Sequence, residues 1–282
     1  MSKIRVSLTL DKEIIDRIDR LAEVSGSKSR SEIIESILTN YMGGKKSAVI
    51  LCGGDVNFGN SDIPRPLVKV NDETIIEKIV TVLRRYGYTN IFITGSKQTL
   101  EMISDLLGTG EGFGVNIAYF KENRPVGTAK VLKYIEQYIF STFLVVPGDT
   151  LFEFDLNHMF DEHKKNNAIA TVAVDLYPKP NKGQYKKGLV VVKGNKIIDY
   201  EDSPDPSKLP DNFVQNTGIM MFEPSIFSYI PDKDVSFLHE DVLPTLIKEG
   251  KAYAYPIHGY WFNIHDQDDL DYAKSLLSSE IA

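Results

Sequence analysis

The residues with the plainest chemical signal lie in AVILCGGDVNFGNSDIPRPLVKV, residues 48–70. An apolar strand runs into Gly53 and Gly54, then a polar loop, then Pro-Arg-Pro-Leu with Arg65 as its only cation. Paired glycines let a backbone turn approach a phosphate closely, and a guanidinium suits an anion. The stretch looks like a phosphate-binding turn with its reactive groups taken out, kept for holding a ligand. Cys52 ends the strand and reads as a small core residue, not a nucleophile. A second chemical signal sits at the N-terminus, where IRVSLTL alternates strictly. Arg5, Ser7 and Thr9 share one face; Arg donates to guanine, and Ser and Thr are adaptable partners for base edges.

The elements that must present these residues differ between the two ends. Ile4, Val6, Leu8 and Leu10 form the apolar face of a short, half-buried strand. Asp11 caps a helix with Ile14, Ile15, Ile18, Leu21 and Ala22 on one stripe. Ser29 or Ser31 caps a second, with Ile33, Ile34, Ile37, Leu38 and Tyr41 facing inward. One strand and two helices bury too little apolar surface alone, so strand pairing in a homodimer or higher homo-oligomer is expected. A two-stranded ribbon fits the DNA major groove.

Residues 1–46 hold nine Lys/Arg and seven Asp/Glu, a net of +2, so the rest carries −9 of the total −7. A basic end on an acidic body marks a small DNA-binding module joined to something else. Composition is that of a globular protein, with 42% hydrophobic and 25% charged residues. No apolar run approaches the roughly 20 residues that span a bilayer, so no membrane partner is expected. The start lacks an export signal and Cys52 has no disulfide partner, which suits a reducing cytoplasm.

The first segment resembles the ribbon-helix-helix repressors over its strand, both helices and the SKSRSE start of the second helix. The resemblance implies base contacts from Arg5, Ser7 and Thr9 and a phosphate contact at Ser29. The expected boundaries are 1–42 for this domain, 43–46 for a linker and 47–282 for the remainder.

From Ser47 onward strands and helices alternate, which implies parallel strands covered by helices with ligands at the strands' C-terminal ends. TIIEKIVTVLRRYG, KQTLEMISDLLG, TAKVLKYIEQYI and LDYAKSLL read as helices. SAVILC, NIFITG, VNIAYF and TFLVVPGD read as strands. AIATVAVDL, GLVVVKGNKIIDYE and FVQNTGIMMF read as later, partly antiparallel strands. YPKPNKGQYKKG, with Lys186 and Lys187, and EDSPDPSKLPDN read as polar loops that could cover a site.

The order of signals resembles the sugar-phosphate nucleotidyltransferases. Gly53-Gly54, PRPL, GTAKVL, VVPGD, NTGIMMFEP and GYWFNIHDQDDL match six family motifs in order. The resemblance implies a Rossmann-like mixed α/β sheet of the GT-A type. It implies nucleotide contacts at Gly53, Gly54, Gly127 and Thr128, a sugar contact at Asn216, and Asp149 as a magnesium ligand. Arg65 replaces a lysine. Phe58 replaces the arginine that stabilises leaving pyrophosphate, and Asn263 replaces a second magnesium-binding aspartate. Ser203, beside Asp202, falls where a lysine serves the sugar phosphate. Removing one charge-stabilising donor typically costs about 2.7–4 kcal/mol in barrier.

His239, His258 and His265 lack metal spacing and read as surface or satisfied histidines; Tyr260 and Trp261 read as core aromatics. The expectation is a DNA-binding regulator recognising operator DNA. Its second domain would hold a nucleotide, sugar phosphate or nucleotide sugar and require no cofactor. The alternative is an active, magnesium-dependent sugar-1-phosphate nucleotidyltransferase whose N-terminal arm dimerises it or tethers it to DNA. A third reading is a structural dimer that binds no ligand.

Overall fold

The computed structural model describes residues 6–25, 29–42, 46–54, 57–176, 188–201 and 213–279. Contacts divide the chain into two units, Met1–Lys45 and Lys46–Ala282.

In the first unit, α1 (Lys12–Ser25) and α2 (Arg30–Met42) pack together through buried Ile18, Leu21 and Ile33. Asp19 accepts two hydrogen bonds from Arg30, at 2.6 and 2.8 Å, which ties the start of α2 to α1. Ser29 caps α2 by accepting from the Glu32 N–H at 3.3 Å. Residues 6–10 pair with no other strand among the described residues of the single chain; the partner expected for this segment is the same strand of a second copy. One expectation is corrected here. Ile14 and Leu38 are exposed instead of facing inward, and Val6 and Leu8 are 71% and 57% exposed. Three buried apolar side chains are too few to cover the rest.

The second unit begins with β1 (Lys46–Cys52), so Lys46 belongs to a strand and not to the linker. Its ammonium lies over the Phe160 ring at 4.9 Å and donates to Asn157 at 2.6 Å; burial lowers its pKa. A small hairpin of β2 (Lys69–Val70) and β3 (Glu73–Thr74) leads into α3 (Ile75–Arg85). Thr74 and Glu77 form a reciprocal capping box at the start of α3. Then come β4 (Tyr88–Gly95), α4 (Lys97–Leu107), β5 (Asn116–Lys121), α5 (Lys130–Lys133), β6 (Phe143–Pro147), β7 (Thr150–Glu153) and α6 (Leu156–Lys165). The chain continues through β8 (Ala170–Asp175), β9 (Leu189–Lys193), β10 (Lys196–Glu201), β11 (Phe213–Phe222), α7 (Leu243–Lys248), β12 (Ala252–Pro256), β13 (Tyr260–Asn263) and α8 (Gln267–Ser279).

Nine strands form one mixed sheet in the order β5-β4-β1-β6-β11-β8-β12-β10-β9, and β9 also pairs with β11. The first four run parallel, while β11 lies antiparallel between β6 and β8. Alternate residues of β1 feed two cores, Ala48, Ile50 and Cys52 on one face and Val49 on the other. Both faces are therefore buried, which explains the continuous apolar run.

The helix expected over TAKVLKYIEQYI is broken. Only Lys130–Lys133 is α-helical, and Tyr134, Ile135 and Tyr138 donate to carbonyls three residues back. This tighter winding still buries Val131, Leu132, Ile135 and Ile139.

Candidate functional site

A cleft of about 370 Å³ opens at the C-terminal ends of β1 and β6, beside β11. Gly53, Gly54, Arg65, Gly127, Thr128, Asp149 and Asn216 all line it. Seven residues spread over 164 positions of sequence thus share one cavity, and each is placed by a specific local feature.

Gly53 leaves β1 where a Cβ would run into the Glu122 carboxylate, and Gly54 has φ of 89°. At Gly54 this conformation favours glycine, and at Gly53 any side chain would require the Glu122 carboxylate to move. Glu122 is itself 9% exposed and lines the cleft. On the neighbouring strand, a Cβ at Gly148 would strike Cys52 Sγ, and the Gly148 N–H donates to the Leu51 carbonyl at 2.8 Å. Burial, then the Asp149 and Glu122 charges, push the Cys52 thiol up, which disfavours the thiolate.

Gly127 has φ of 85°, and a Cβ there would collide with the Ser236 carbonyl. That carbonyl accepts from the N–H groups of Ala129 and Lys130, at 3.0 and 3.2 Å. The Thr128 hydroxyl accepts from the Leu238 N–H at 3.0 Å, which leaves its own O–H free to donate to a ligand.

Asn216 sits at a bulge in β11, where register shifts between Asn216 and Met220. Its Oδ1 accepts from the Gly218 N–H at 2.8 Å, so the Nδ2 hydrogens are what it can offer a ligand. Gly218 has φ of 79°, and a Cβ there would lie 2.8 Å from Pro147 Cγ. The bulge lets β11 approach the end of β6.

Arg65 and Asp149 form an ion pair at 3.2 Å, with both side chains 21% exposed. Arg65 Nε also donates to the Asn57 carbonyl at 3.2 Å, and His265 Nε2 lies 3.6 Å from the same Asp149 oxygen. Asn263 lies on β13 opposite Thr150, whose hydroxyl donates to Asn263 Oδ1 at 2.6 Å. Asn263 is not among the cleft-lining residues, and neither is Phe58. Phe58 packs against the core, and its N–H donates to the Ile63 carbonyl at 2.9 Å, closing the loop on itself. Ser203 and Arg5 lie outside the described residues, as do most of the two polar loops.

Sequence reasoning missed several lining residues, among them Glu122, Tyr200, Phe237 and His239. His239, read as a surface or satisfied histidine, instead joins an aromatic wall, with ring centroids 5.8 Å from Tyr200 and 5.6 Å from Phe237. Nothing in local spacing announces this wall, since it depends on segment 236–238 being laced to the Gly127 loop. Trp261 and Tyr260 are half-buried on β13, with Trp261 against the core. His258 lines a separate, smaller pocket of about 150 Å³.

The chain belongs to the nucleotidyl transferase family, whose sequence model matches residues 60–279. Residues 4–43 match the ribbon-helix-helix proteins of the copG family, so the chain joins the two domains. Over 234 residues it is 31% identical to a UTP–glucose-1-phosphate uridylyltransferase of Synechocystis sp., covering 78% of this chain and 59% of that one. Over 212 residues it is 28% identical to a mannose-1-phosphate guanyltransferase of Yarrowia lipolytica, covering 74% and 56%. The chain thus spans less than two thirds of the length of these relatives.

Solved structures share the fold. A protein described as a glucose-1-phosphate thymidylyltransferase from Bacillus anthracis, in complex with a sucrose, aligns with TM-score 0.72 at 23% identity, covering 82% of this chain and 94% of that one. HddC from Yersinia pseudotuberculosis, complexed with GMP-PN, aligns with TM-score 0.66 at 20% identity, covering 82% and 99%. Among the described residues, no helix is long and apolar enough to cross a membrane.

Proposed function

We propose that this protein is a DNA-binding transcriptional regulator. Its nucleotidyl transferase-family domain senses a nucleotide, sugar phosphate or nucleotide sugar without transferring it. One observation carries the reading. The ligand-holding positions converge on one cleft, while two positions where the resemblance implies transfer chemistry, Phe58 and Asn263, are committed elsewhere and do not line it. In-line displacement at phosphate relies on cationic groups and metal to stabilise developing charge.

The N-terminal domain supplies the DNA side of the proposal. Ser7 and Thr9 are exposed, and so are Val6 and Leu8 on the alternate positions. A second copy pairing along this segment would cover the apolar residues and leave the polar ones for base edges. The acting species is then a homodimer, in a cytoplasmic setting.

The kept Asp149 and the positive charge kept at Arg65, together with the named activities of the relatives, favour a second reading: a working sugar-1-phosphate nucleotidyltransferase whose N-terminal domain tethers it. Pyrophosphate release separates the two. The regulator releases none above background with magnesium and any common triphosphate and sugar 1-phosphate. It is nevertheless stabilised against heat by a nucleotide or nucleotide sugar. Steady turnover that Asp149→Ala abolishes would replace the first reading with the second.

A further inference from the structure

The magnesium site that the family resemblance implies does not fit the donors present. Magnesium demands near-octahedral oxygen ligands at about 2.0–2.1 Å and is usually held by one or two carboxylates. Asp149 Oδ2 is already met by the Arg65 guanidinium at 3.2 Å and approached by His265 Nε2 at 3.6 Å. Asn263 is neutral, its Oδ1 is taken by Thr150, and it stands outside the cleft lining. Glu122, the other lining carboxylate, is buried against the Gly53 turn. Among the described residues, no cluster of three or more His, Cys, Asp or Glu is placed to hold a metal.

We propose that the cleft binds its ligand without a divalent cation. Arg65, seated on Asp149, is the built-in positive group that receives the ligand's phosphate. The proposal rests on the reading of the cleft as a nucleotide or nucleotide sugar site.

The geometry supplies what such a role needs. A guanidinium has five N–H donors. Asp149 and the Asn57 carbonyl take one each and hold the plane fixed, which leaves the others for phosphate oxygens. Arginine matches phosphate in a bidentate fork where a lysine offers a point charge. Asp149 thereby changes role, from a group that would hold a metal to a group that positions Arg65. A dication placed on Asp149 would also stand against the guanidinium and be repelled by it. One cation suits a ligand with one or two phosphate charges, such as a nucleotide sugar, better than a metal-free triphosphate with its higher charge.

The test uses the full-length protein, with UDP-glucose and GDP-mannose as calorimetric probes, in excess EDTA and again in excess magnesium. The expected result is the same affinity in both within about twofold, with at least about a tenfold loss in Arg65→Ala that magnesium does not restore. Arg65→Lys should recover part of that loss. In parallel, manganese is titrated by electron paramagnetic resonance, with and without UTP or GTP. The free-ion signal should match that of the same solution without protein throughout. Stoichiometric manganese binding that Asp149→Asn abolishes would overturn the proposal, as would nucleotide sugar binding that EDTA eliminates. Failure of both nucleotide sugars to bind would count against the reading of the cleft. The manganese titration would then decide the metal question by itself.

Discussion

The Thr128 hydroxyl accepts a hydrogen bond from the Leu238 N–H across 110 residues of sequence, at 3.0 Å. Beside it, the Ser236 carbonyl takes the N–H groups of Ala129 and Lys130, and the Ser236 N–H donates to the Val126 carbonyl at 2.9 Å. The glycine loop and the aromatic wall of Phe237 and His239 are therefore one structural piece. A ligand seated on Thr128 is walled by residues far away in the chain.

Thr128→Val keeps the shape and removes the acceptor. Leu238 is 4% exposed, so its N–H would be left buried and unsatisfied, at a cost of about 1–3 kcal/mol. Chemical denaturation should show that loss, while Thr128→Ser stays within about 0.5 kcal/mol of wild type. Gly127→Ala should be worse than Thr128→Val, because it combines φ of 85° with a clash against the Ser236 carbonyl.

Catalysis gives the second prediction. Restoring charge at one position, by Phe58→Arg or Asn263→Asp, should not restore pyrophosphate release. Phe58 packs into the core and Asn263 is bonded to Thr150, so neither replacement would point a charge into the cleft. A coupled pyrophosphate assay checks this; turnover in either single variant would show that transfer needs only the missing group.

The central layout of the second domain was readable from sequence because its signals are local. The apolar runs of β1, β4 and β6 mark strands buried on both faces, and the amphipathic pattern of TIIEKIVTVLRRYG marks α3. Gly53 and Gly54 stood out as paired glycines at a strand end, whereas Thr128, Asp149 and Asn216 were picked out by the resemblance of GTAKVL, VVPGD and NTGIMMFEP to nucleotidyltransferase motifs. What escaped notice depends on long-range closure. Tyr200 and His239 carry no local mark and become cleft residues only when β10 and the 236–238 segment arrive beside Gly127. The 128–139 segment has a helical apolar pattern, yet its bonds to Ser236 and its i→i−3 turns wind it more tightly. In the first domain the strand pattern was legible, but a strand needs a partner, and one chain does not supply it.

The third prediction concerns acid. Desolvation raises the Glu223 carboxyl, but hydrogen bonds from His163, Lys164 and Thr142 outweigh it and hold its pKa down to about 2. A carboxyl depressed from 4.5 contributes stability that is fully present above the ordinary value and is lost as pH falls toward about 2. Glu223→Gln should therefore be less stable than wild type near neutrality, by about 1–3 kcal/mol, and the difference should shrink as pH drops below 4.5. Denaturant midpoints across pH measure this; a constant gap at all pH would show that charge is not the cause.

On the DNA side, Arg5→Ala should weaken a specific operator by about 1–3 kcal/mol and relax preference at one base position per half-site. Binding should fall steeply with added salt as phosphate contacts release counterions. Fluorescence anisotropy on operators obtained by in vitro selection measures both. Equal binding by wild type and an Arg5, Ser7, Thr9 triple alanine variant would remove base readout from the account.

Coupling between the two domains is the central claim, and linkage makes it measurable in either direction. A ligand can shift operator affinity only by its differential affinity for the two states, typically about 1–3 kcal/mol. The most direct measurement is operator affinity of the full-length protein with and without saturating UDP-glucose or GDP-mannose. The account predicts a severalfold change with at least one of them, lost when Thr128→Trp fills the cleft. Identical operator affinity in the presence and absence of a nucleotide sugar that the protein demonstrably binds would contradict it.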